Sequence, residues 1–375
     1  MSKAKELENQ NNEEILDEEP RNIILSMISQ LTTNMDLSKV TLPTFVLEPR
    51  SFTERITDFM THPDILIEQD PIERFIHIVK YYMSGWHIHP RGVKKPYNPI
   101  LGEFFRCRYD LPGNVKAYFI SEQVSHHPPM TAFAYYCPEK NTFIEGDLRP
   151  KGKFLGNSVG VFLSGSTRIY LKDFDEEYIV TYPNMYARGI LFGKMVLEIG
   201  EKATITCAKN DLLFRIEFKT KGFFGGSYNQ VSGKIKNISE NEILAEISGN
   251  WEKVMKMKRK TSKGATESVF FDSEAEKITP LIVADIEEQE DNESRRLWRH
   301  ATKAIAGKDL NLATEEKTKI EEQQRNDVKE RAEKNETWTP RFFELGHDSK
   351  YHPLLSSETA EASNKQIEEF IFSKK

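Results

Sequence analysis

From about Val115 to Met257, short runs of β-branched and aromatic residues recur without interruption. They fall at 115–123, 130–137, 142–148, 159–164, 167–172, 178–182, 194–199, 203–208, 212–219, 231–236, 243–249 and 253–257. Turn-forming residues separate them, among them Pro112-Gly113, Asn141, Gly156-Asn157, Gly165, Pro183-Asn184, Gly200, Asn210-Asp211 and Gly225-Gly226. Such spacing predicts antiparallel hairpins in a sandwich or barrel. So many strands in one block favour closure, because an open sheet leaves edges free to pair with other chains. The expected class is therefore mainly β, with a barrel large enough to hold an apolar ligand.

The flanks read as helical. Residues 1–21 form an acidic leader, with seven acids and two lysines in the first 20, and are expected to be disordered. In Asn22–Asp36, Ile24, Met27, Ile28, Leu31 and Met35 fall at helical spacing, which predicts an amphipathic helix about 20 Å long. Periodicity leaves two roles open for it, a core-covering helix or a lid that touches a membrane. An apolar, proline-broken segment follows to about residue 50, too irregular for a helix. Short helices are predicted at Phe52–Met60 and Pro71–Gly85, the second with Pro71 in its first turn after Asp70. Beyond residue 280 helices are predicted at Glu293–Ala306 and Ala313–Lys334. The block around Trp338–Phe343 should dock, and the tail, residues 346–375, should be loose after about 355.

Composition removes several function classes. No apolar run approaches a membrane span and no signal-peptide segment opens the chain. Cys107, Cys137 and Cys207 are widely spaced and odd in number, which predicts reduced thiols, with no disulfide frame and no zinc site. A net charge of −6 argues against nucleic acid as partner, so contact with anionic lipid must come from local basic patches. The expected location is the cytosol.

Three patches carry candidate chemistry. The first is the loop Lys94–Glu103, where Pro96 and Pro99 fix an extended course and Lys95 and Asn98 offer a charge and an amide. The second is Glu122-Gln123-Val124-Ser125-His126-His127-Pro128-Pro129. Pro128 disfavours the helical region for His127, and a bulge could turn both rings to one side. The third is the spacing of Lys317, Glu321 and Arg325 at i, i+4 and i+8, one face of a helix. Each has a plain structural reading: a rigid loop, a strand end and a salt-bridged helix.

Taken together, the three motifs in this order resemble the oxysterol-binding-protein-related family from about residue 22 to 345. The resemblance implies a near-complete antiparallel barrel, residues 51–345, that encloses a lipid tunnel behind an N-terminal lid. Ile24, Met27, Ile28 and Leu31 would form the lid's apolar face, within the segment 22–50. It implies that Lys95, Asn98, His126, His127, Lys317 and Arg325 surround a phosphatidylinositol 4-phosphate headgroup, with Glu321 orienting the cations. The chemistry is compatible: a phosphomonoester carries about −1.5 to −2 charge and three acceptor oxygens, and charge-assisted bonds are the stronger kind.

The segment Met35–Ser51 is most similar to the subgroup that exchanges phosphatidylserine for phosphatidylinositol 4-phosphate. That likeness makes Leu42 and Thr44, with Asn98, candidates for the second lipid, and adds Ser158. Sterol is the alternative cargo. The expected protein has no cofactor, acts as a monomer and sits peripherally on membranes, the endoplasmic reticulum and a phosphoinositide-rich one. It should lack a pleckstrin-homology domain, ankyrin repeats and a membrane anchor. Val269-Phe270-Phe271-Asp272 is similar to a two-phenylalanine tethering motif but lacks the leading glutamate, so it is assigned to the fold. An esterase would need a nucleophile elbow, which is missing. Ser125 beside His126 is no triad, and no third ligand accompanies the His pair for a metal hydrolase. Sensing without transfer would use the same residues.

Overall fold

The computed structural model describes residues 13–14, 26, 31–37, 44–65, 67–90, 92–190, 194–221, 226–261, 264–356 and 363–374. The principal strands are β1 (Phe104–Leu111), β2 (Val115–His126), β3 (Pro129–Cys137), β4 (Thr142–Phe154), β5 (Ser158–Leu171), β6 (Glu176–Val180), β7 (Asn184–Arg188), β8 (Met195–Cys207), β9 (Leu212–Lys219), β10 (Gln230–Asn237), β11 (Glu242–Asn250), β12 (Val254–Thr261) and β13 (Gly264–Asp272). The principal helices are α1 (Pro71–Ser84), α2 (Arg299–Ala306), α3 (Leu310–Lys334) and α4 (Asn364–Phe372). The class is mainly β and antiparallel, as the sequence predicts. The chain resolves into two compact units. One comprises Met1–Leu37, Asp58–Val93 and Lys151–Pro280; the other comprises Ser38–Thr57, Lys94–Pro150 and Leu281–Lys375.

In the first unit β8 to β13 form an antiparallel meander in sequence order. Between β5 and β8 one lane is filled by two strands end to end. β7 pairs Met185 with Val161 and Ile199, and β6 pairs Val180 with Thr167 and Ile205. Pro183, which has no N–H to donate, separates the two. Helix α1 starts on Asp70, whose carboxylate accepts from the N–H groups of Ile72 and Glu73. It buries Phe75, Ile78, Val79 and Met83 in this unit's core. Arg74 on the same helix is buried against Glu176, with Nε–Oε2 at 2.7 Å and Nη2–Oε1 at 2.5 Å. Burial pushes Glu176 up, but bonds from Arg74, Tyr178 and Asn210 outweigh it and hold the carboxyl below its usual range.

The second unit holds the β1–β2–β3–β4 meander, the first part of β4 included, with α2, α3 and α4. A parallel pair, Leu47–Ser51 with Lys95–Tyr97, lies on α2. Here Leu47, Tyr97, Trp298 and Ala301 make a core cluster, and the Tyr97 and Trp298 rings stack at 4.5 Å.

Several expectations need correction. The helix predicted over Asn22–Asp36 does not reach its end: Asn34 sits in a turn with a left-handed φ of 68°, its N–H donates to the Phe154 carbonyl at 2.6 Å, and the Phe154 N–H donates to the Met35 carbonyl at 3.1 Å. Ser26 is helical and Leu31, half-buried, is not; Ile24, Met27 and Ile28 lie outside the described residues. Gly165 and Gly200, read as turns, sit inside β5 and β8. Gly165 has φ of 99° and Glu201 has φ of 73°, so each strand bends without ending. Strands β1, β7 and β13 were not expected. The tail is not loose: α4 buries Ile367 and Ile371, and Arg106 donates to the Ile371 carbonyl at 2.7 Å. Phe270 and Phe271 are buried in β13, so that pair belongs to the fold.

Candidate headgroup site

All seven residues of the predicted phosphate-binding set lie in the second unit. The loop Lys95–Glu103 is held from beneath by its own last residue. Glu103 is fully buried; it accepts from the Ile100 N–H at 3.1 Å, Trp298 Nε1 at 2.9 Å and Thr53 Oγ1 at 3.1 Å. Tyr97 anchors the other end through its stack on Trp298 and its hydroxyl contact with Thr302 at 2.9 Å. Lys95, at the start of the short strand that ends in buried Tyr97, is accessible to water.

The octet is equally fixed. Glu122 accepts the N–H groups of Arg341 and Phe342 at 2.7 and 2.8 Å, which docks the Trp338–Phe343 block as expected. The register slips between Gln123 and Ser125, the bulge that the sequence allowed, and Gln123 ties across to Thr131 and the Ser125 carbonyl. His126 and His127 follow with ring centroids 4.3 Å apart, and the His127–Pro128 peptide is cis.

Helix α3 supplies the third wall. Its buried positions are Ala313, Lys317 and Gln324, an inner stripe that is mostly polar. Ordinary helices bury apolar stripes and almost never a lone lysine. Lys317 Nζ is 2.6 Å from Glu321 Oε1. Gln324 Nε2 is 2.8 Å from His126 Nδ1, and Asn98 Nδ2 is 3.4 Å from His126 Nε2. Those two contacts join loop, strand end and helix into one site. Arg325 is exposed, one turn beyond Glu321, and makes no hydrogen bond or ion pair among the described residues.

Electrostatics add a common direction. Lys95 is accessible yet crowded by protein, as on a concave wall. Desolvation, then the Lys317 ammonium, lowers its pKa against the pull of Glu321. Burial, then His127, brings His126 down to about 4, again against Glu321. Both shifts come first from burial; the second contribution in each is a neighbouring cation or imidazole, which an arriving anion would oppose.

Sequence reasoning missed Gln324, although it lies seven residues from Lys317 and three from Glu321, on the same face. The second-lipid candidates fall on different segments. Leu42 lies outside the described residues. Thr44 is buried, with its hydroxyl 3.3 Å from the Leu310 carbonyl and 3.1 Å from Thr314 Oγ1. Ser158 opens β5 in the other unit. Among the described residues no group of three or more His, Cys, Asp or Glu side chains could hold a metal ion, and no helix is long and apolar enough to cross a membrane.

Fold and site together define a mainly β protein with a cation-rich, imidazole-bearing polar site. Comparison with known proteins narrows the class. The family model for oxysterol-binding protein matches residues 26–304 and 299–368. An oxysterol-binding protein homolog of Schizosaccharomyces pombe is 46% identical over 353 residues, covering 90% of this chain and 73% of its own length. Oxysterol-binding protein homolog 7 of Saccharomyces cerevisiae is 44% identical, covering 88% of this chain and 78% of its own. Among solved structures, the Osh1 domain in complex with cholesterol superposes with a TM-score of 0.74 at 24% identity, covering 91% of this chain and 88% of that one. The Osh3 domain of Saccharomyces cerevisiae in complex with phosphatidylinositol 4-phosphate gives 0.65 at 19%, covering 89% of each. The chain belongs to the oxysterol-binding protein family of lipid-binding domains.

Proposed function

We propose that this protein is a lipid carrier that holds the 4-phosphate of phosphatidylinositol 4-phosphate and exchanges that lipid for phosphatidylserine between membranes, without catalysing a reaction. The observation that carries the reading is the polar inner face of α3 meeting Lys95, Asn98 and His126. Three cations, two imidazoles and one carboxylate make a site short of negative charge, and a phosphomonoester supplies it. Lys95, Lys317 and Arg325 neutralise the phosphate, Asn98, His126 and His127 donate to it, and Glu321 keeps Lys317 in place. A phosphomonoester brings three strong acceptor oxygens and about −1.5 to −2 charge, more than a carboxylate or a sterol hydroxyl offers.

Phosphatidylserine as second cargo rests on the Met35–Ser51 segment, through Leu42, Thr44 and Asn98, with Ser158. The lid residues Ile24, Met27, Ile28 and Leu31 are assigned to sealing the loaded lipid, and the protein acts as a cytosolic monomer. The test is lipid movement between two liposome populations. The protein should extract phosphatidylinositol 4-phosphate, and vesicles rich in phosphatidylserine should accelerate its delivery. Uptake of cholesterol or ergosterol with no uptake of phosphatidylserine would overturn the cargo. Failure to extract the phosphoinositide would overturn the whole reading. Removal of residues 1–35 should impair transfer while leaving folded protein; an unchanged rate would reject the lid.

A further inference from the structure

His126 is gripped by two carboxamides, Asn98 at its Nε2 and Gln324 at its Nδ1. Burial and the neighbouring His127 hold its pKa down to about 4, so at neutral pH the ring is uncharged. Such a ring has one N–H and one lone pair. Two amide NH2 groups cannot both donate to it. Exchanging the nitrogen and oxygen of a carboxamide leaves its shape nearly unchanged, so hydrogen-bond logic decides which one presents oxygen.

The surroundings make that decision. Gln324 is 7% exposed, and the far atom of its amide, Oε1, is buried with no hydrogen-bond partner. As it stands only a carbonyl oxygen is left unsatisfied, whereas turned over the amide would bury there an NH2 with two N–H groups to satisfy. An orphaned buried N–H is rarer than an under-satisfied carbonyl. Asn98 is only half-buried, and its contact is longer, so water can complete either orientation. Gln324 therefore donates, and Asn98 accepts.

We infer that Gln324 is a positioning residue: its N–H, given to Nδ1, fixes His126 as the Nε2–H tautomer, a neutral donor that rests on Asn98 until an anion takes that place. The groups that act on the ring are Asn98 from the loop, His127 from the β2–β3 turn, and Glu321 and Gln324 from α3. Among these Glu321 is the carboxylate, and it is engaged by Lys317 at 2.6 Å. A ring fixed in this way needs no proton from solution to bind phosphate. Binding should therefore be level in pH above about 7, where the phosphate itself is fully ionised.

This inference deepens the phosphoinositide reading, and its first test does not depend on lipid. Nitrogen-15 spectra of the histidines in the full-length, ligand-free protein at pH 7 should show His126 with a protonated Nε2 and a hydrogen-bonded, unprotonated Nδ1. Gln324→Leu should erase the Nδ1 hydrogen-bond signature. Gln324→Glu, nearly isosteric, should place an acceptor there, move the proton to Nδ1 and bring the ring's titration into the range 6–8. With short-chain phosphatidylinositol 4-phosphate as probe, Gln324→Leu should bind about three- to tenfold more weakly, and Gln324→Glu should lose affinity as pH rises from 7 to 8. A wild-type Nδ1–H tautomer overturns the inference, as does an unchanged spectrum in folded Gln324→Leu. The expected tautomer without affinity for the probe upholds the inference and defeats the lipid reading.

Discussion

Among the described residues there are two pairs of close imidazoles, and they are opposites. In the first unit His62 Nε2 and His87 Nε2 face each other at 3.2 Å, and both rings lean on Phe271 at 5.4 and 5.5 Å. One ring donates to the other, so the pair is complete within its own unit. In the second unit the His126 and His127 ring centroids are closer, 4.3 Å apart against 5.5 Å in the first pair, but the rings do not bond each other. His126 spends both nitrogens on side chains from other elements, and His127 is exposed with no hydrogen bond among the described residues. Burial brings His87 and His126 to the same value, about 4. A displaced pKa is therefore no mark of function by itself. What separates the pairs is the destination of the hydrogen bonds: to the partner imidazole in one, to carboxamides of the loop and of α3, with His127 left exposed, in the other.

Mutation of the pairs should break this comparison if it is wrong. The largest effect is expected from His126→Ala with His127→Ala. Each lost bond to a charged group is worth about 1.5–3 kcal/mol, so extraction of phosphatidylinositol 4-phosphate from liposomes should fall a hundredfold or more while circular dichroism stays native. The reciprocal double variant, His62→Ala with His87→Ala, should cost about 1–3 kcal/mol of stability, read by denaturant titration, and leave extraction by the folded protein unchanged. Equal loss of extraction in both variants would erase the distinction.

Acid should sharpen it. The unfolded chain takes up protons at its histidines near pH 6.5, whereas folded His87 resists them until about 4. Stability should thus be full above about 6.5 and decline as pH falls toward 4. Thermal midpoints measured across that range should fall less steeply in His87→Phe than in wild type. The smallest effect is expected on α3. Lys319 is exposed and pairs with Glu315 and Glu316, so Lys319→Ala should change stability by under about 0.5 kcal/mol and binding not at all. Lys317→Ala, two residues away on the buried face, should weaken binding about tenfold or more.

Much of this was legible in the chain because it is written in local patterns. The strand Leu212–Lys219 was predicted to the residue, since Leu212, Phe214, Ile216 and Phe218 alternate with exposed positions and turns bound it. Asp70 and Pro71 announced α1. The missed strand β1 also alternates, Phe105, Cys107, Tyr109 and Leu111 against Arg106, Arg108 and Asp110, but its charges disguised it. Arg106 is buried there, paired with Glu293 at 2.5 Å, a partner far along the chain that no local pattern can supply. Gln324 was hidden for the same reason. On a charged helix it reads as solvated filler, and only the arrival of His126 gives its amide a purpose. The turn at Gly165 failed differently, because glycine marks a bend as readily as an end.

The clasp at Arg106 has a consequence for how the molecule is made. Its guanidinium reaches the Ile371 carbonyl across 265 residues, and Arg341 holds the Ser373 carbonyl at 2.6 Å. The second unit is assembled from three separated lengths of chain, the last beginning at Leu281. On the ribosome β1 and β2 therefore emerge long before the groups that complete them. Until α4 arrives, a buried-type arginine and the carboxylates Glu290 and Glu293 wait without their full set of partners. Synthesis must run well past the other unit before this one can close, because its long-range contacts cannot form until the segment from Leu281 onward has been made.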